Sequence, residues 1–463
     1  MASLARGGAA SLPALKREEA HRASAVPVEQ VVDAIAFGPF HQRLLVLTTA
    51  VVVLDGFDVQ LGAFAGPAIL TEWQVGPAVL APAMAASLVG MAIGTGIGGV
   101  IGDRLGRRPT LIGALIWFGI AAMLTAMCRD VMSLAILRLI TGLGLGAAVP
   151  NATALVAEWM PGRTRNYALT VISVGVPCGG FLGAIVSSWL IPACGWQAVF
   201  LLGGGLPLLL SIAMIRALPE SPTILVEHVE CDREIALLIS QAGGTGSGPF
   251  LPPPKAEGRD HVLWSGLRRS TIGMSIAFFA TLMAIYALLS WVPILLSRSG
   301  FPMGSAIRGA MILNITGVAA SFAFAWVMLR IGSRATLLAM VCAGITALGL
   351  WKALLDIPNI SPGPVFVALA FVGATVVALQ ATLLTLSAHV FPARCRAAGI
   401  GYSITFGRIG AILSTFGAGF LLAREHGVAL YFGMLAVALL LLVGGVLVID
   451  RHVPRSGRAG RAV

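Results

Sequence analysis

The chain has 463 residues, 57% of them hydrophobic and only 11% charged, where soluble domains carry about 25% charged residues. A mean hydropathy of +0.90 excludes an ordinary water-soluble fold. The net charge of +11 would suggest nucleic acid in a soluble protein. Here the basic residues sit in short loops between apolar runs, so no nucleic-acid partner is expected.

About 40 mostly polar residues precede the first apolar run, which speaks against a cleavable signal peptide. Twelve runs long enough to cross a bilayer follow, at roughly 45–68, 78–101, 110–128, 132–155, 167–191, 196–216, 271–296, 306–329, 335–354, 363–389, 397–422 and 428–450. Their glycine and alanine content suits helices that pack closely in lipid. The longest loop, 217–270, contains Gly243-Gly244-Thr245-Gly246-Ser247-Gly248 and Pro252-Pro253-Pro254, a flexible linker composition. The expected architecture is an all-α membrane protein of twelve transmembrane helices. It comprises a tail over 1–44, a six-helix bundle over 45–216, a linker over 217–270, a second bundle over 271–450 and a tail over 451–463. A monomer in a lipid bilayer is expected. Six cysteines, Cys128, Cys178, Cys194, Cys231, Cys342 and Cys395, show no metal-ligand spacing and read as small packing residues.

Charge sets the orientation. With both termini in the cytoplasm, 24 of the 31 Lys and Arg residues fall on the inner side, as positive-inside topology requires. Five fall outside, Arg129, Arg298, Arg308, Lys352 and Arg424, and two lie within spans. An internal repeat supports the division into halves. Arg104-Leu105-Gly106-Arg107-Arg108-Pro109-Thr110-Leu111 after the second span matches Arg330-Ile331-Gly332-Ser333-Arg334-Ala335-Thr336-Leu337 after the eighth. Pro161-Gly162-Arg163-Thr164-Arg165 after the fourth matches Pro392-Ala393-Arg394-Cys395-Arg396 after the tenth.

Charges within spans are the candidate functional groups. Asp55 and Asp58 lie three residues apart on one helix face. A charge at mid-bilayer costs about 2.5–3.5 kcal/mol on insertion scales, so the pair should face a wet cavity, be neutralised, or cap a helix break at Gly56. No other span holds a clearly central Asp or Glu, which leaves these two as the candidates for carrying a proton. Arg138 can pair with Asp55 or Asp58, or bind a substrate carboxylate with its guanidinium fork. Arg408, between Gly407 and Gly410, can serve as an anion ligand, a gate or an interfacial cation.

Gly102-Asp103-Arg104-Leu105-Gly106-Arg107-Arg108 resembles the signature loop between helices two and three of the major facilitator superfamily, and Pro219-Glu220-Ser221-Pro222 is typical of several of its branches. Leu54-Asp55-Gly56-Phe57-Asp58, followed by Gly66-Pro67, resembles the first-helix signature of its aromatic acid:proton symporters, carriers of benzoate, hydroxybenzoate and protocatechuate. Supporting stretches are Arg138 with Gly142-Leu143-Gly144-Leu145-Gly146, Pro150-Asn151-Ala152-Thr153 through Glu158, Ser290-Trp291-Val292-Pro293, and Arg394-Cys395-Arg396-Ala397-Ala398-Gly399 leading to Gly407-Arg408-Ile409-Gly410. The resemblance spans nearly the whole chain apart from 217–270 and the tails. It implies the major facilitator fold, import of a small aromatic carboxylate with protons, and a bacterial cytoplasmic membrane. Asp55, Asp58, Arg138 and Arg408 would serve coupling and substrate binding. Asp103, Arg104, Arg107, Arg108, Glu158 and Arg396 would form ion pairs that open and close one side, although topology-setting charge alone would also explain the arginines.

Other signals carry less. Gly94-Thr95-Gly96-Ile97-Gly98-Gly99 satisfies GxGxxG but lies within a span without a strand, so close packing explains it. Asn151-Ala152-Thr153 and Asn314-Ile315-Thr316 are sequons inside spans. Gly175-Val176-Pro177-Cys178-Gly179-Gly180 is weakly similar to an antiporter motif. His41 and His389 sit near interfaces, and Phe57, Phe64, Phe278, Phe279, Tyr286, Trp291 and Tyr402 offer rings for stacking. Carriage of a dicarboxylate or sugar acid, or drug efflux, would use the same charges. No nucleophile–base pair, metal cluster or nucleotide loop marks an enzyme, and no cofactor is expected beyond the proton as coupling ion.

Overall fold

The computed structural model describes residues 26–227, 232–244, 250–251, 267–391 and 396–453. Cys231, the three prolines at 252–254, Arg394, Cys395 and most of the basic tail lie outside the described residues. Among the described residues, twelve helices are long and apolar enough to cross a membrane. In chain order helices 1 to 6 are Pro39–Glu72, Pro77–Leu105, Arg107–Thr125, Val131–Trp159, Gly162–Cys194 and Gln197–Ala217. Helices 7 to 9 are Arg268–Arg298, Met303–Ile331 and Ser333–Leu355. Helix 10 is Pro362–Val372 and Leu379–Val390 joined by a π turn at Gly373–Val377; helices 11 and 12 are Arg396–Leu422 and Gly427–Val448. The fold is all-α, with two six-helix bundles.

Local chemistry sets the helix ends. Proline occupies the first turn of helices 1, 2 and 10, where its missing N–H costs nothing. Asp130 caps helix 4, its Oδ1 accepting from the Ser133 amide at 2.9 Å. Helix 1 is longer than the run at 45–68 because its polar ends, with His41 and Glu72, lie beyond the apolar window. Proline inside helices, as at Pro67 and Pro150, is tolerated in membrane helices, where neighbours satisfy the freed carbonyl.

The repeat seen in the sequence has a backbone counterpart. Gly106 (φ 109°) and Gly332 (φ 88°) each end one helix and begin the next in a conformation closed to most side chains. Glycines also set the packing of helix 2 on helix 4. A Cβ added at Gly94 would strike the Leu143 backbone, and one at Gly98 would strike Ala147. The GxGxxG match is therefore a close helix contact, as its position in the span suggests. The halves meet mainly through helix 2 with helix 11, helix 5 with helix 8, and helix 1 with helix 7.

A small cap at the end of the first half departs from the expected tail and linker. Val26–Pro27 pairs in parallel with Phe250–Leu251, and short helices cover Val28–Ala34, Pro222–Glu227 and Asp232–Gln241. Val28, Val32, Ile235, Ile239 and Phe250 are buried in one cluster with Trp159. Arg165, in the turn into helix 5, reaches Glu29 at 3.3 Å and Asp33 at 2.9 Å. The apolar residues come at helical spacing within polar stretches, so a composition window hides them.

Candidate functional site

Helix 1 runs unbroken through Asp55, Gly56 and Asp58, which removes the cap at a helix break as an explanation for the two carboxylates. Gly56 is needed for contact instead: an added Cβ would fall on the Val176 carbonyl of helix 5. Asp55 and Asp58 are 3% and 0% exposed. Arg138 of helix 4, 3% exposed, answers to Asp58. Its Nη1 donates to Asp58 Oδ2 at 2.9 Å and its Nη2 to the Asp58 carbonyl at 3.1 Å. Its guanidinium also lies 5.8 Å from the Phe200 ring centre, a cation–π distance. Asp55 Oδ1 and Asp58 Oδ1 find no hydrogen bond among the described residues.

Arg408 comes from the other half. Its Nη1 donates to the Met91 carbonyl at 3.1 Å and to Thr95 Oγ1 at 2.8 Å, tying helix 11 to helix 2. One buried ion pair, Asp58–Arg138, thus lies in the first half, and a second arginine, Arg408, reaches helix 2 from the second half. Arg138, Gln60, Ser87, Tyr286 and Ser290 line a closed pocket, with about 10 Å³ of space, about one water. That space is too small for an aromatic ring. Of the candidate ring residues, Tyr286 lines this pocket. Phe57, Phe64 and Phe278 are core, Trp291 donates to the Thr415 carbonyl at 2.9 Å, and Tyr402 is exposed beside Phe406.

Sequence reasoning missed the pair Gln60–Asn314. Gln60 Nε2 donates to Asn314 Oδ1 at 3.3 Å and Asn314 Nδ2 to Gln60 Oε1 at 2.9 Å, joining helix 1 to helix 8. Both amides are buried. A Cβ at Gly180 would strike the Gln60 amide and one at Gly179 the Val53 carbonyl, so the span-five glycines serve close packing on helix 1. The signal was an amide two residues past Asp58 in an apolar helix, where an unpaired amide is costly.

Among the described residues, the loop charges singled out in the sequence gather on the first half. Arg107 pairs with Asp103 at 2.8 Å and with Glu158 at 3.4 Å, and Glu158 also accepts from the Ser221 hydroxyl. Glu220, noted in the sequence only as part of a motif, accepts from the Arg107 and Arg108 amides at 2.9 and 3.1 Å. It thereby satisfies the first orphan amides of helix 3. Arg108 donates to the Ile215 carbonyl at 2.6 Å. Arg104 and Asp103 are exposed. Arg396 begins helix 11, but its side chain lies outside the described residues. Among the described residues no ion pair joins the halves at this end. His41 packs between Phe37 and Phe40 and accepts from the Gly38 amide at 3.3 Å, and His389 is exposed near the end of helix 10.

The model of the Major Facilitator Superfamily matches residues 48–415. The chain is 31% identical over 433 residues to a gallate transporter of Pseudomonas putida, covering 91% of this chain and 95% of the relative. It is 32% identical over 419 residues to the 4-hydroxybenzoate transporter PcaK of Pseudomonas aeruginosa, covering 88% and 90%. Among solved structures, the partially occluded inward-open xylose transporter XylE from E. coli is similar with a TM-score of 0.69 at 15% identity, over 92% of this chain and all of that one.

Proposed function

Because the chain belongs to the Major Facilitator Superfamily, we propose that it imports a small aromatic carboxylate with protons by alternating access. It does so as a multi-pass protein of the bacterial cytoplasmic membrane, a monomer with both termini inside. Relatives named for gallate, 4-hydroxybenzoate and benzoate support the substrate class. The observation that carries the mechanism is the buried Asp58–Arg138 pair at 2.9 Å beside a closed pocket.

Charge balance gives the coupling. With Asp58 ionised, Arg138 is satisfied and the pair is neutral. A proton on Asp58 releases the guanidinium fork, which then takes the substrate carboxylate bidentately. The loaded centre is again neutral, so reorientation carries no bare charge through the bilayer. Asp55 holds a second exchangeable position on the same helix face as Asp58. As the halves rock, Arg408 exchanges its hydrogen bonds to helix 2 for the substrate or for Asp55. On the inner side, loss of the proton returns Arg138 to Asp58 and expels the acid. The Asp103, Arg107 and Glu158 cluster, with Arg104, Arg108 and Arg396, sets the closure of the inner side.

A thermal-shift panel on the purified protein tests substrate class and coupling together. Benzoate-like acids should stabilise the protein more at acidic than at alkaline pH, while aliphatic dicarboxylates and sugar acids should leave it unmoved. Stabilisation by the aliphatic acids alone would overturn the aromatic assignment.

A further inference from the structure

At the end of the second half opposite the chain termini, the ends of helices 7, 9 and 11 and the start of helix 12 surround a pocket of about 420 Å³. Arg298, Lys352 and Arg424 all line it, together with His426. These are three of the five basic residues that the charge sorting leaves on the outer side, where positive-inside topology disfavours them. Their gathering at one cavity therefore asks for a chemical reason.

The lining also holds two acids, Asp356 and Glu425. Asp356 is engaged by Lys352 at 2.5 Å. Arg298 donates from Nη1 to the Leu422 carbonyl at 2.9 Å, which fixes that side chain at the wall. Arg424 enters no ion pair among the described residues. Helix 12 starts at the pocket without a side-chain cap, and Val428 and Ala429 of its first turn are in the lining. Uncapped amides at a helix start favour an anion. Leu295, Leu422 and Val428 supply an apolar floor. Three cations against two acids complement a single negative charge, and the floor complements an apolar body attached to it.

We propose that this pocket is a second anion site, separate from the central pair, that binds a monoanionic oxyanion carried on an apolar body. Two sources share that chemistry: an aromatic carboxylate arriving for transport, and the phosphodiester headgroup of an anionic lipid. Arg424 and the first turn of helix 12 hold the oxygens, and Leu295, Leu422 and Val428 take the apolar part. Only the carboxylate source rests on the proposed transport function.

The test places a thiol in the pocket. Val428→Cys is made in a full-length background with all native cysteines replaced, and the protein is held in nanodiscs, where both faces meet the reagent. Labelling rates are compared for an anionic and a cationic methanethiosulfonate. The anionic reagent should react several-fold faster, and adding Arg424→Ala should bring the two rates together. In phosphatidylcholine discs, millimolar benzoate should slow labelling if the carboxylate is the occupant. Slowing by phosphatidylglycerol instead assigns the site to lipid. Protection by either anion that persists with Arg138→Ala present supports a second site. Equal rates for the two reagents, no protection by either anion, or protection that vanishes with Arg138→Ala overturns it.

Discussion

The contacts inside the first half and those between the halves use different chemistry. Inside, the deep contact is a full ion pair, Arg138 with Asp58, both below 5% exposed. Between halves the deep contacts are one amide pair, Gln60–Asn314, and Arg408 on a carbonyl and a hydroxyl. Breaking a buried ion pair by removing one partner costs about 3–5 kcal/mol, whereas a neutral hydrogen bond contributes about 0.5–1.5 kcal/mol net and one from a charged group such as Arg408 about 1.5–3 kcal/mol. A carrier must separate its halves in every cycle. Strong pairing within a bundle and weak bonding across the joint is the arrangement that permits this. Under the proposed mechanism, the Asp58–Arg138 pair changes only when a proton and a carboxylate replace its partners together.

The contrast can be broken first at its strong end. Arg138→Ala leaves Asp58 buried and uncompensated, so thermal unfolding in detergent should show a loss of about 3–5 kcal/mol and uptake should vanish. The double change with Asp58→Asn should restore most of the stability and none of the accumulation. At Gly94 the close approach of helices 2 and 4 predicts that Gly94→Val costs about 1–3 kcal/mol through overpacking, read by the same melt. At the joint, Gln60→Leu strands the Asn314 amide and should cost about 1–3 kcal/mol, while Gln60→Leu with Asn314→Leu should be nearly neutral. A double-mutant cycle without coupling would remove the amide pair as a joint.

The smallest effect lies outside the membrane. His452, whose Nδ1 lies 3.1 Å from Ser333 Oγ, is held below its ordinary value of 6.5 by burial and by Arg334. The unfolded chain therefore takes up the proton more readily than the folded one. Stability from this group is present above about pH 6.5 and is lost as the pH falls. Melting across that range should show the slope, and His452→Gln should flatten it.

Much of this was legible in the sequence, for reasons tied to lipid. Charges in apolar runs are expensive, so Asp55, Asp58, Arg138 and Arg408 stood out, and the repeat that divides the chain into halves has Gly106 and Gly332 at matching positions. The pairing was not legible: Arg138 is 80 residues from Asp58, and Asp55 was an equal choice on the same helix face. Gln60 and Asn314 escaped because they carry no charge and so are not marked out as Asp55, Asp58, Arg138 and Arg408 are, although an unpaired amide is costly when buried. The cap escaped because Val28, Val32, Ile235 and Ile239 are spread through polar stretches that join only in space.

The central claim is that Asp58 exchanges its arginine for a proton while the substrate takes its place. The direct measurement is uptake of 4-hydroxybenzoate into proteoliposomes carrying the parent or Asp58→Asn, with and without an acidic exterior. The parent should accumulate the acid above equilibrium only under the gradient, and Asp58→Asn should exchange it without accumulation. Accumulation by Asp58→Asn equal to that of the parent would contradict the account.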